Sequence, residues 1–128
     1  MSEHRLVKVS QQAIIQNGDG AVLLLCKVGS GNWFLPGGRI ETADTDPIAG
    51  FQRELREELG CEVAVIRPFA VDFEEKWNVY AIAFLCTTES TDFVLSEEHS
   101  EMKWVAPKEV VEWLYYKRIG KAIKEQLG

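Results

Sequence analysis

Between Asp46 and Gly60 the chain spells out a helix with both of its ends marked. Asp46 can accept hydrogen bonds from the free amides of a first turn, and Pro47 suits the first helical position because its missing N–H would have no partner there. Ile48, Phe51, Leu55 and Leu59 recur at helical spacing, and Gly60 supplies the stop. The result is one amphipathic helix of about 13 residues. Its polar side carries Arg53-Glu54-Leu55-Arg56-Glu57-Glu58. With Glu54 as origin and about 100° per residue, Glu58 lies at about 40° and Glu57 at about −60°, while the apolar residues centre at about 105°. Three carboxylates therefore share one side. Like charges three and four apart cost a few tenths of a kcal/mol per pair, and the macrodipole disfavours anions near a helix C-terminus. A hard dication held among oxygens would remove both penalties, since Mg²⁺ takes one or two carboxylates together with water and substrate phosphates. A solvated acidic face compensated by Arg53 and Arg56 is the other reading of the helix taken alone.

The remainder of the chain limits what such a helix can serve. Its 128 residues predict one domain spanning 1–128, large enough to build its own core. Hydrophobic content of 46% with 27% charged residues is ordinary globular composition, so disorder is excluded as the main state. Fourteen basic against twenty acidic residues leave a formal charge of −6, which argues against a long nucleic acid as partner. A phosphate partner is then small or metal-bridged. The longest apolar run, residues 79–86, is far shorter than the roughly 20 residues of a membrane span, and the first residues carry no secretory pattern, so the expected location is the cytoplasm. Cys26, Cys61 and Cys86 are odd in number and set among apolar residues, which predicts small core residues and no disulfide framework.

Residues 6–16 and 21–27 read as strands joined through Asn17-Gly18-Asp19-Gly20, a hairpin signal that makes the second strand the expected partner of the first. Val22-Leu23-Leu24-Leu25 lacks alternation, as expected of a strand covered on both faces. Residues 61–72 and 77–87 read as strands joined through Glu74-Glu75-Lys76, with shorter strands at 93–95 and 102–105 on either side of an acidic loop at 96–101. Pro107 starts a further helix, continued or renewed over residues 115–126. Strands in the middle with helices inside and at the end predict an α/β sandwich, a mixed β-sheet between helices.

Ahead of the acidic helix stands Trp33-Phe34-Leu35-Pro36-Gly37-Gly38-Arg39-Ile40-Glu41. Two glycines after a proline let backbone approach a metal or phosphate closely, so that a carbonyl there becomes available as a ligand. Together the two segments resemble the Nudix hydrolase family of MutT-like pyrophosphohydrolases, whose signature is G-x5-E-x7-R-E-U-x-E-E-x-G-U with U a bulky aliphatic residue. Gly38, Arg53, Glu54, Leu55, Glu57, Glu58 and Gly60 match in type and order, and residues 33–38 look like the family's tryptophan-x-leucine-proline-glycine-glycine entry. Asp44 stands where the family has glutamate, eight residues rather than seven separate it from Arg53, and Cys61 replaces the last aliphatic residue. The extra residue falls in the loop before Pro47, where length costs little.

The resemblance implies a Nudix-type α/β/α sandwich and hydrolysis of a nucleoside diphosphate linked to a further group, with Mg²⁺ or Mn²⁺ as cofactor. It implies Glu54, Glu57 and Glu58 as metal ligands, the Gly38 carbonyl as a further one, and Arg53 as the residue that orients these carboxylates through internal ion pairs. Glu41 braces the loop. Substrate contacts are expected from Trp33, Gly37, Gly38 and Arg39. A general base is open among the helix glutamates and the acidic loop, where Glu98 is the leading residue, with Glu101 comparable and His99 more often idle and exposed in such a setting. Phe73, Trp77 and Tyr80 are stacking candidates for a base, although core packing is the commoner duty of such rings; Trp104, Trp113, Tyr115 and Tyr116 are expected to pack the last strand and helix together. Arg5, Lys8 and Lys27 are cations that could meet phosphates from neighbouring strands, which their positions in the sequence do not decide. The expected partner is a small nucleotide-like pyrophosphate, with no membrane and no long nucleic acid, and a homodimer is left open. The other functional class is a weakly catalytic Nudix domain acting as a nucleotide sensor, a reading motivated by Asp44 and the inserted residue.

Overall fold

The computed structural model describes residues 3–90, 92–97 and 99–128. Its strands are β1 (Lys8–Ile15), β2 (Val22–Lys27), β3 (Trp33–Phe34), β4 (Gly37–Arg39), β5 (Ala64–Glu74), β6 (Val79–Thr87) and β7 (His99–Val105). Its helices are α1 (Pro47–Leu59), α2 (Val110–Trp113) and α3 (Lys117–Leu127). Among the described residues no helix is long and apolar enough to cross a membrane.

The mixed sheet runs β4-β1-β6-β5, with β1 parallel to β6 and antiparallel to β4. A second, three-stranded sheet runs β3-β2-β7. Two apolar layers result from strand alternation. Ile14, Val22 and Leu24 face Leu114, Ile119 and Ile123 of the C-terminal helices, whereas Ala13, Ile15, Leu23 and Leu25 face Phe51, Leu55 and Leu59 of α1. Both faces of β2 are therefore covered, which accounts for its unbroken apolar run. This is an α/β/α sandwich.

Three sequence expectations change. The Asn17 turn forms, its Oδ1 accepting from the Asp19 and Ala21 amides, but it joins strands of two different sheets and closes on a single Gln16–Val22 bridge. The reason is competition for an edge: β6 occupies one side of β1, while β4 and the Pro36 carbonyl, which accepts from the Ala13 amide at 2.7 Å, occupy the other. Residues 93–95 are not a strand. They cross the end of α1, where the Val94 and Ser96 amides donate to the carbonyls of Leu59 and Glu58 that the helix leaves free. Trp77 and Tyr80 are exposed, and Trp104 packs with Phe93 on the α1 side, away from the last helix.

α1 begins and ends as expected. Asp46 Oδ1 accepts from the Ile48 and Ala49 amides, and Gly60, at φ +70°, closes the helix with its amide on the Arg56 carbonyl.

Candidate active site

The acidic side of α1 lies along β4, and burial along it follows angular distance from the apolar stripe. Glu58 is 6% exposed, while the side chains of Glu54 and Glu57 are 14% and 68% exposed. Each buried acid is seated by one glycine of β4. The Gly37 amide donates to Glu58 Oε2 at 2.8 Å. Gly37 has φ +147°, and a Cβ there would stand 1.9 Å from the Gln11 carbonyl oxygen. A Cβ on Gly38 would stand 1.7 Å from Glu54 Oε2. The first glycine is thus required by the neighbouring strand and the second by the carboxylate itself.

Arg53 holds the cluster together. Its guanidinium lies 2.9 Å from Asp44, 3.6 Å from Glu57, 3.7 Å from Glu54 and 3.9 Å from Glu41. Asp44, whose side chain is 5% exposed, also accepts from the Glu41 amide, and that bond followed by the Arg53 contact holds its carboxyl below the ordinary value. The shorter acid is accommodated because residue 50 is glycine: a Cβ there would meet the Asp44 carboxylate at 2.8 Å. Glu54 shifts the opposite way. Burial, then the charges of Glu41, Asp44 and Glu57 against the opposing pull of Arg53, push its carboxyl up to about 7.

That shift bears on a cation. A carboxylate kept from ionising by burial and like charge is one that a dication would ionise, and its Gly38 seat brings backbone alongside. Among the described residues no three side chains of His, Cys, Asp or Glu already converge to enclose an ion. Mg²⁺ does not require that, since it keeps several waters and recruits substrate phosphates. The donors present are all oxygens, as a hard cation prefers, so the residues fit the group.

The acids open into a cleft of about 730 Å³. Glu41, Glu54, Glu57, Glu58, Glu97 and His99 are among the residues that line it. His99, placed by sequence reasoning in an exposed loop, begins β7 instead, with its side chain 9% exposed and Nε2 3.4 Å from Glu58 Oε1. Glu98 lies outside the described residues. Glu101 is exposed on β7 and does not line the cleft. Gly37, Gly38 and Arg39 line it, as does Lys27. Trp33 does not: its ring stands edge-on to Trp113, with the Lys103 ammonium over both, and its neighbour Phe34 faces the cleft instead.

Ser10, Gln12 and Tyr116 are cleft residues to which sequence reasoning assigned no functional part. Burial pushes the Tyr116 phenol up to about 12, so it stays protonated. Gln12 is 3% exposed, yet its Oε1 has no hydrogen-bond partner, a condition that costs about 1–3 kcal/mol for a buried group. The available signal was two consecutive glutamines directly ahead of the apolar run Ala13-Ile14-Ile15. Gln11 spends its amide on the Pro47 carbonyl, and Gln12 points to the opposite face.

The family profile described as NUDIX domain matches residues 7–126. A MutT-like protein of Streptomyces ambofaciens is 32% identical over 84% of this chain and 69% of its own length. Nucleoside triphosphatase NudI of Escherichia coli O81 is 31% identical over 78% of this chain and 82% of its own length. Among solved structures, the MutT protein from Methanosarcina mazei Go1 superposes with a TM-score of 0.78 at 25% identity, covering 97% of this chain and 95% of that one.

Proposed function

The chain belongs to the NUDIX domain family of pyrophosphate-bond hydrolases, which use divalent metal ions, and on that premise we propose that it hydrolyses a nucleoside triphosphate or a related nucleoside diphosphate linked to a further group. The observation that carries the reading is the seat of Glu54 and Glu58 on the glycine pair, in a cleft roomy enough for a nucleotide. The name of NudI supports the triphosphate as first substrate to try.

Glu54, Glu57 and Glu58, with the Gly38 carbonyl, would hold Mg²⁺ or Mn²⁺, which supplies neutralisation of phosphate charge and a lowered pKa for the attacking water. Arg53 acts as a positioning residue, because its guanidinium is spent on four carboxylates. Arg39 and Lys27 are the cleft cations available to the phosphate chain. Glu98 is the proposed proton acceptor; its sequence neighbours Glu97 and His99 line the cleft. The sensor alternative rested on Asp44 and the inserted residue; the bonds of Asp44 to Arg53 and to backbone speak against the first of these motives. Three free cysteines suit a reducing compartment such as the cytoplasm.

A panel of nucleoside triphosphates, nucleotide sugars and dinucleoside polyphosphates with Mg²⁺, products identified by mass spectrometry, tests the activity. Glu58→Gln should lower kcat about 100-fold or more on whatever substrate the parent cleaves, with melting temperature nearly kept. Undiminished turnover in that variant removes Glu58 from the site.

A further inference from the structure

On the wall of the same cleft, the Gln12 amide stands buried with one end unsatisfied. Its Nε2 lies 3.4 Å from Ser10 Oγ, a long bond, and its Oε1 has no partner. Exchanging the two ends of the amide leaves the same position without a partner, so the vacancy itself stands either way; with Nε2 on the Ser10 hydroxyl, the vacant end is an acceptor. Buried side-chain amides in finished cores are matched; an unmatched one on a cleft wall points to a ligand that matches it.

The surroundings say what kind of ligand. Gln12 sits on the face of β1 shared with Ile14, toward the layer containing Tyr116 and Phe34, and those two rings line the same cleft. Ala81 and Ala83, the partners of Ser10 and Gln12 on β6, are small and offer the amide no hydrogen-bonding side chain. Aromatic faces beside a recessed hydrogen-bonding group suit a flat heterocycle, stacked on its face and bonded at its edge. The β1–β4 ladder sets Gln12 opposite Gly37, whose amide holds Glu58, so an edge read here stands one strand away from the seat of the acids. We infer that Gln12 is a specificity-determining residue which accepts a hydrogen bond from an N–H on the edge of the substrate's nucleobase. The inference rests on the nucleotide reading above and adds the base edge as the recognised feature.

The test compares the best nucleotide substrate of the parent with an analogue of the same base lacking the edge donor: ATP against purine riboside triphosphate, CTP against its 4-deamino analogue, UTP against its N3-methyl analogue, or GTP against its N1-methyl analogue. kcat, KM and calorimetric Kd are measured for the parent, Gln12→Leu and Gln12→Glu, each with a melting curve. The parent should prefer the donor-bearing nucleotide about tenfold or more in KM and Kd, because a site built to bond a donor rejects its absence. Gln12→Leu should erase the preference in KM and Kd, and Gln12→Glu, which retains an acceptor, should preserve it. Should Gln12→Leu fail to fold, a Gln12→Ala variant with Tyr116 intact takes its place. A parent that treats the two nucleotides alike, or a Gln12 variant without the amide that still discriminates as the parent does, overturns the inference. If the parent binds with this discrimination but releases no product from any substrate, the hydrolase reading fails and the base reader stands.

Discussion

Two buried aspartates each meet an arginine at the surface, one on either side of the sandwich, and they are put to different use. Asp72, on β5, accepts from the Phe73 amide, the Arg118 amide and the Arg118 guanidinium, and so starts α3. Asp44, in the loop before α1, accepts from the Glu41 amide and the Arg53 guanidinium. Arg118 is 76% exposed and its ion pair ends at Asp72, whereas Arg53 goes on to reach Glu41, Glu54 and Glu57. The same pair is a helix start in one place and the hub of an acidic cluster in the other. What separates them is the number of further charges within reach of the guanidinium.

The sharpest way to break the comparison is to remove both arginines. Arg53→Ala should lower kcat about 100-fold, since misplaced catalytic groups cost on that scale, while Arg118→Ala stays within about twofold of the parent and loses less than about 1 kcal/mol by chemical denaturation. Equal losses of turnover would mean that neither pair is special. A finer probe adds one methyl group to each of the two helices that carry the arginines. Gly50→Ala drives a Cβ to 2.8 Å from the Asp44 carboxylate and should lower turnover about tenfold with the fold kept. Gly120→Ala drives one to 2.8 Å from Val111 Cα between α2 and α3, and should cost about 1–3 kcal/mol of stability with kcat unchanged while the protein is folded.

The smallest expected effect is a pH slope. Glu54, raised to about 7 by burial and its acidic neighbours, binds its proton more tightly in the folded state than in the unfolded one. Its contribution to stability is therefore complete below the ordinary glutamate value and fades as pH rises from about 4.5 to about 7. In chelator the melting temperature should fall across that interval. Glu54→Gln should flatten the fall, and millimolar Mg²⁺ added to the parent should offset it near pH 7. Asp44, held low, contributes in the opposite sense: its share is present above the ordinary aspartate value and is lost only as pH drops below it.

How much of this could be read from the chain depended on whether the cause was local. α1 was legible to its caps, because Asp46, Pro47 and Gly60 act within one turn, and the graded burial of Glu58, Glu54 and Glu57 followed from helical angle alone. The mixed sheet between helices was legible as a class. The partner of β1 was not, because Asn17-Gly18 fixes a turn while strand pairing is decided by which distant segment takes each edge. Residues 93–95 have strand composition but meet the free end of a helix instead. The glycine pair was legible as permissive, yet which atom forbids a side chain at each position, a strand carbonyl or a carboxylate, needed three dimensions. Gln12 was missed because a polar residue in a buried strand has no local signature of what it faces.

The backbone seat of the acids has a consequence for how a cleft like this can change. Glu58 is held by a main-chain amide and Glu54 by the absence of a side chain, so this seat has few positions at which replacement is neutral. The same cleft is also lined by the side chains of Ser10, Gln12, Phe34 and Tyr116, none of which supplies a carboxylate. If the base is read at Gln12 as inferred above, replacements among these side chains would alter which cargo is taken while the backbone seat of the acids stays as it is.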